Sequence, residues 1–157
     1  METMKDKLVK LALEWEDKFG VAPRITASIS EYDAAMVTGM TEDEYSQEMQ
    51  DKTAVGEGYD FEYNKLKYQV KGSRPSKKRE KEHPKDPVTK VGKAAIEYKD
   101  VSKPWDKLIW VLYDKKFEPQ GAWEWDFDDY KREITPLEYV RPGHMKRGKQ
   151  IIFPKIT

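Results

Sequence analysis

The sequence predicts one α/β domain built on a central mixed β-sheet with helices on its faces. Three observations predict it. The N-terminal third carries apolar residues at helical spacing with helix caps, residues Gly58 to Gly72 read as a β-hairpin, and Leu108 to Tyr113 form a continuous apolar run suited to a buried central strand. At 157 residues the chain is long enough to bury a core as a single domain, 1–157. It shows no internal repeat and no linker that would divide it.

Met4, Leu8, Leu11, Trp15 and Phe19 recur at helical spacing, so a helix is expected from Lys5 to Phe19, ended by Gly20. Ser28-Ile-Ser-Glu31 is a capping-box pattern that opens a second helix to Thr38, with Gly39 as its stop. Thr41-Glu-Asp-Glu44 repeats the pattern and opens a third helix to Gln50. A tight turn at Asn64-Lys65 pairs Tyr63 with Leu66, Glu62 with Lys67, Phe61 with Tyr68 and Asp60 with Gln69. Gly72 to Lys93 is basic, contains Pro75, Pro84 and Pro87, lacks apolar periodicity, and reads as a mobile loop inserted between core strands. After the strand at 108–113, Asp114-Lys-Lys116 turns the chain into a strand from Phe117 to Trp125, where Pro119 and Gly121 point to an edge or a bulge. Asp126 is placed to cap a helix through Ile134, and Thr135-Pro-Leu-Glu138 reads as a short helical turn. Ile151 to Phe153 is expected to return as a final strand.

Charged residues make up 37% of the chain, yet five tryptophans and 12% aromatic residues supply enough apolar surface for packing. The absence of cysteine excludes disulfides, thiolate metal sites and cysteine nucleophiles. No apolar run approaches the ~20 residues of a membrane helix and no signal-peptide core opens the chain, so a cytoplasmic protein is expected. The formal net charge of +0 conceals a polarity. Between Ser28 and Asp60 the acids Glu31, Asp33, Glu42, Asp43, Glu44, Glu48, Asp51, Glu57 and Asp60 face Lys52 alone. From Lys71 to Lys93 bases prevail, and Arg141 to Thr157 holds five bases and no acid. Local basic surface attracts polyanions whatever the net charge.

The hairpin carries the chemistry. Lys67, Gln69 and Lys71 share one strand face, while Leu66, Tyr68 and Val70 share the other. The register sets Asp60 against Gln69, with Lys71 on the diagonal. A carboxylate, an amide oxygen and an ammonium gathered there suit a hard cation and a phosphate. Asp60 is the principal carboxylate ligand in this reading, Gln69 offers its side-chain oxygen, Val70 its backbone carbonyl, and Lys71 contacts the scissile phosphate and the attacking water. Asp60 and Lys71 can also be read as an ordinary solvated hairpin face. Glu62 shares their neighbourhood and is expected to pair with Lys67.

Asp60, a short hairpin and then Gln69-Val70-Lys71, with helices before and a mixed sheet after, resemble the PD-(D/E)xK nuclease superfamily. The resemblance implies a restriction-endonuclease-like fold. It puts Asp60 in the place of the first-strand Asp, Lys71 in that of the catalytic lysine, and Gln69 where an acid usually stands. Tyr59 occupies the position of the nominal proline. The family often adds a glutamate from an upstream helix. Glu31 fits that place and equally fits a capping box, with Asp33, Glu14 and Glu16 as further candidates.

The function expected is therefore a Mg²⁺-dependent DNA endonuclease, with Mn²⁺ as a substitute metal, restriction-like or linked to defence or mobile elements. Cutting both strands of double-stranded DNA would require a homodimer. Arg74, Lys77, Lys78 and Arg79 in the basic loop, and Lys146 and Arg147 near the C-terminus, are the candidate DNA contacts, with His83 as a base reader. His83 and His144 have no second histidine at ligand spacing, which argues against zinc. Trp105, Trp110, Trp123 and Trp125 are expected in the core. Two other readings compete: a nucleic-acid-binding module of the same fold without catalysis, and a protein-interaction factor that uses its acidic helical region.

Overall fold

Leu108, Ile109, Trp110 and Val111 are fully buried, and the strand they form is the axis of the molecule. The computed structural model describes residues 1–2, 4–20, 22–52, 58–96 and 103–151. Three helices come first: α1 (Met4–Phe19), α2 (Ile25–Thr38) and α3 (Glu42–Asp51). The hairpin strands β1 (Phe61–Tyr63) and β2 (Leu66–Ser73) follow, then α4 (Lys77–Glu82), β3 (Lys107–Tyr113), β4 (Pro119–Asp126), α5 (Phe127–Glu133), α6 (Pro142–Met145) and β5 (Lys149–Ile151). The strands make one five-stranded sheet in the order β1-β2-β3-β4-β5. β2 and β3 are parallel and every other neighbour pair is antiparallel, so the sheet is mixed as expected. A parallel pair cannot be closed by a tight turn. The stretch between Ser73 and Lys107 makes that crossover.

Alternation along β3 divides the apolar residues between two cores. Ile109, Val111 and Tyr113 join Phe61, Tyr68 and Val70 beneath α1, α2 and α3, where Phe19, Ala34, Ala35 and Tyr45 close the layer. Leu108 and Trp110 face the opposite side, with Trp105, Trp123, Trp125, Phe127, Tyr130, Ile134, Val140 and Met145. The tryptophans expected in the core are there.

Three expected hairpin pairs form, Phe61 with Tyr68, Glu62 with Lys67 and Tyr63 with Leu66, but the expected Asp60–Gln69 pair does not: the ladder ends at Phe61 and the Asp60 side chain takes the Val70 amide instead. Asn64 and Lys65 both have positive φ, the twist that a two-residue hairpin turn requires. Thr41 forms its capping box, accepting the Glu44 amide while Glu44 accepts the Thr41 amide. A register shift at Leu112/Tyr113 supplies the irregularity that Pro119 and Gly121 announced, and the strand starts at Pro119 because Phe117 lies in the turn at φ 63°.

Several expectations are corrected. α2 begins at Ile25, a turn before Ser28, because Ser28 Oγ accepts the Arg24 amide from inside the first turn. Ser28 and Glu31 therefore do not form a capping box. The segment read as a mobile loop contains α4, capped by Ser76 Oγ on the Arg79 amide, and near its end Val91 is buried in the second core, as is Ala94 just beyond it. Periodicity failed there because one short polar helix and two isolated apolar anchors leave no repeat. Asp126 precedes α5 without a side-chain cap, its carboxylate being taken by Lys107 at 3.0 Å. Residues 134–136 form a turn rather than a helix, and α6 follows in a stretch without helical periodicity. The last strand runs from Lys149 to Ile151, and Phe153 lies outside the described residues, as do the side chains of Met4 and Leu8.

α2 crosses β2 at Gly72. A Cβ added there would meet Ser30 Cβ and Oγ at 2.6 Å, so only glycine lets the helix come this close. Ser30 is 1% exposed and donates its hydroxyl to Ala27 O at 3.0 Å, which satisfies it within the helix. Gly72→Ala should cost about 1–3 kcal/mol in denaturant unfolding, as overpacked sites do. Adding Ser30→Gly should recover part of the loss, whereas Ser30→Ala keeps the colliding Cβ and should not.

Candidate active site

Close packing at Gly72 and Ser30 delivers the next residue of α2, Glu31, to the open edge of β2. The β1 ladder ends at Phe61, and the chain bends at Asp60. The Asp60 amide donates to Tyr68 O at 2.8 Å, but the Val70 amide donates to Asp60 Oδ2 at 2.7 Å rather than to a backbone carbonyl. The Asp60 carbonyl instead receives Lys52 Nζ, which also donates to Tyr59 O at 2.7 Å. A strand residue points its amide and carbonyl to the same edge, so the Val70 carbonyl faces the side on which Asp60 lies.

The Glu31 carboxyl and the Asp60 carboxylate are hydrogen-bonded to each other. Burial pushes the Glu31 carboxyl up to about 7, aided by the charge of Asp60 and opposed by Lys52 and Arg24. Burial also raises Asp60, against the Val70 amide, Lys52, Lys71 and the hydrogen bond from Glu31. Both carboxyls are therefore harder to ionise than free ones, and the pair retains a proton to higher pH than either would alone. Desolvation comes from the aromatic packing around α3: Tyr45 is 2% exposed, 5.3 Å from Phe19, 5.7 Å from Tyr32 and 6.4 Å from Phe61 between ring centroids. Its own hydroxyl is pushed up by that burial and by the charges of Glu31 and Asp60. Lys52 is lowered by burial, although Asp60, Glu31 and Glu48 all favour its charged form.

Lys71 supplies a second cation to Asp60. Gln69 and Lys71 lie on the sheet face away from Tyr68 and Val70, in register with Leu108 and Trp110 of the second core. Their half-buried face is thus the margin of a core rather than a solvated hairpin surface. Glu31, Asp60, Lys52 and Lys71 converge at one edge of β2, with Gln69 one pleat away from Lys71. Among the described residues no group of three or more His, Cys, Asp and Glu comes together. The oxygen donors at this edge are the Glu31 and Asp60 carboxyls and the Val70 carbonyl, a set that suits Mg²⁺ completed by water and phosphate, while Gln69 stands on the opposite face from Val70.

The other candidate acids do not join this cluster. Asp33 accepts the Tyr113 hydroxyl at 2.6 Å across the first core, which raises the tyrosine further. Glu14 and Glu16 are exposed on α1. Glu62 gives its amide to Glu48 Oε1, and Lys67, its cross-strand neighbour, lies over the Tyr59 ring at 5.1 Å. Lys52 escaped notice in the sequence, though one signal was present: it is the single base in the acidic stretch from Ser28 to Asp60.

Of the expected phosphate contacts, Arg74 is used in packing. Its guanidinium donates to Lys115 O and lies 4.1 Å from the Phe117 ring centroid. Lys78 is exposed on α4, Arg79 is half-buried, and the Lys77 side chain lies outside the described residues. His83 is exposed and ends α4. Lys146 and Arg147 are exposed after α6, Lys146 resting 5.5 Å from the Trp123 ring centroid. No described helix is long and apolar enough to cross a membrane. Comparison of the sequence with models of known protein families and with characterised proteins gives no significant match.

The raised carboxyls fix a pH dependence. A carboxyl whose pKa is higher in the folded protein binds its proton more tightly there, so stability falls as pH rises between its unfolded and folded values. For Glu31 that window runs from 4.5 to about 7. Denaturant unfolding in EDTA should show stability declining across it, by at most about 1.4 kcal/mol per pH unit and less in proportion to solvent access. Glu31→Gln should flatten the decline and make the protein more stable than the parent above pH 7.

Proposed function

We propose that the protein is a Mg²⁺-dependent endonuclease of the restriction-endonuclease-like, PD-(D/E)xK type that hydrolyses phosphodiester bonds in double-stranded DNA. The observation that carries this reading is the Glu31–Asp60 pair, two half-buried carboxyl groups brought against each other, with Asp60 bonded to the Val70 amide and Lys71 nearby. A structural ion pair has no need of two adjacent desolvated acids. A divalent cation does, because it replaces the retained proton and leaves both groups ionised. The α/β sheet, with its motif on a hairpin that precedes the central strand, supports the same reading.

Hydrolysis requires a water oxygen to form a bond to phosphorus while the bond to the leaving sugar oxygen breaks and that oxygen takes a proton. Mg²⁺, when bound, neutralises charge at phosphorus and lowers the pKa of its water. Glu31 and Asp60 would hold it, with the Val70 carbonyl as a neutral donor. Lys71 would contact the scissile phosphate and orient the attacking water. Lys52 fixes Asp60 through its carbonyl and offsets the negative charge of the pair before substrate arrives. Two copies related by a two-fold axis would cut both strands.

Purified protein with supercoiled plasmid and Mg²⁺ should give nicked and linear products. Lys71→Ala and Asp60→Asn should each lower the rate by about 10²–10⁴-fold while leaving the unfolding midpoint near that of the parent. Salt-sensitive DNA retention with no cleavage would leave the binding module, the reading that Gln69 favours. Metal binding has its own signature. Affinity for Mg²⁺ measured by calorimetry should rise about tenfold per pH unit below 7 with release of one proton, and Glu31→Gln should remove that slope.

A further inference from the structure

A large hollow lies away from the carboxyl pair. It is an open cavity of about 840 Å³ on the basic side of the molecule, lined by Asp86, Lys90, Tyr139, Arg141, His144 and Arg147 among others. Three cations face one carboxylate there. Tyr139 is 59% exposed, an unusual amount for a large aromatic side chain next to the buried Val140. The Lys90 ammonium lies 5.5 Å from its ring centroid, so one side of the ring already has a cation beside it. His144 Nδ1 accepts the Arg141 amide at 3.0 Å, which leaves the ring proton on Nε2 as a donor.

A second cavity of about 390 Å³ shares Asp86 and Pro142 with the first and extends to Pro75, Leu112 and Lys146. Leu112 is the register partner of Ser73 at the end of β2. Ser73 accepts the Trp110 indole N–H at 2.9 Å and so lies on the same face as Lys71, two residues earlier. The two hollows adjoin at Asp86 and Pro142 and form a track from Leu112, beside the end of β2, to Tyr139.

We propose that this track binds a single-stranded segment of the nucleic-acid substrate, with an unpaired base stacked on Tyr139 and its flanking phosphates held by Lys90, Arg141 and Arg147. Stacking on an exposed ring inside a basic groove is how sequence-tolerant single-strand sites work, since every base has a π face. A duplex keeps its base faces covered and gives Tyr139 nothing to stack on. Asp86 adds an acceptor for base N–H groups, which a site for phosphate alone would exclude by repulsion. That the strand bound here is the one cut at Lys71 rests on the nuclease reading; binding in the cavity does not.

The test uses fluorescence anisotropy in EDTA, so that no strand is cut, with the full chain and a fluorescein-labelled oligothymidylate of about 12 nucleotides. The parent should bind it more tightly than a blunt duplex of the same length. Tyr139→Ala should weaken binding about tenfold, and Tyr139→Phe, which keeps the ring, should restore it. Arg141→Ala with Arg147→Ala should reduce the slope of log affinity against log salt by about 1.4 for two lost phosphate contacts. Equal binding by parent and Tyr139→Ala, or a preference for the duplex, would overturn the proposal even if plasmid is cleaved. If the parent binds as described but never cleaves, the nuclease reading fails and the single-strand site stands. A phosphopeptide or anionic vesicle that binds with Tyr139 dependence while the oligonucleotide does not would also overturn it.

Discussion

The Val70 amide bonded to the Asp60 carboxylate is the contact on which the site depends. Where β1 ends, β2 would otherwise present an unpaired amide at a partly covered edge, and a side-chain oxygen closes it instead of a carbonyl. This puts a full negative charge where water is scarce. One amide bonded to a charged group contributes about 1.5–3 kcal/mol, whereas burying the ion costs several. The amide alone is insufficient, and Asp60 stays raised. The rest of the cluster answers that deficit: Lys52 on the carbonyls of Tyr59 and Asp60, Lys71 as the residue after Val70, and the Glu31 carboxyl against Asp60.

Burial at this edge is built by the first core rather than by the site residues. Tyr45, anchored on a capped α3, packs with Phe19, Tyr32 and Phe61, and Phe61 stacks on Tyr68 at 4.9 Å across the hairpin. Gly72 lets α2 lie down on β2, which brings Glu31 within hydrogen-bonding range of Asp60. Packing and electrostatics are therefore one design: the same aromatic layer that stabilises the helices raises both carboxyls. Two adjoining hollows lie away from this edge, near the end of β2, where shape and positive charge meet without the carboxyl pair.

Much of this was legible in the chain. The hairpin register, the Thr41 cap and the buried central strand each rest on local rules, turn chemistry and periodicity, that tertiary contacts did not override. Glu31 was ambiguous between cap and ligand because both roles need the same residue a few places into a helix. The start of α2, one turn before Ser28, removes the cap role and leaves the carboxyl to Asp60. α4 and α6 were missed because short helices tied by a serine cap or a single histidine bond carry no periodic signal. Arg74 looked like a phosphate contact by composition, yet the nearby Phe117 ring and Lys115 carbonyl claim it.

By itself the sequence determined which residues share a strand face, since side chains alternate with a fixed period of two. It thereby determined that Gln69 and Lys71 stand together one turn of a hairpin away from Asp60. Only the tertiary structure decided that Asp60 bends its carboxylate onto the Val70 amide, that Glu31 rather than Asp33 meets it, and that Lys52 closes the charge balance. Those outcomes depend on how closely a helix can approach a sheet and on how much water is left between them, and neither quantity has a period in the sequence.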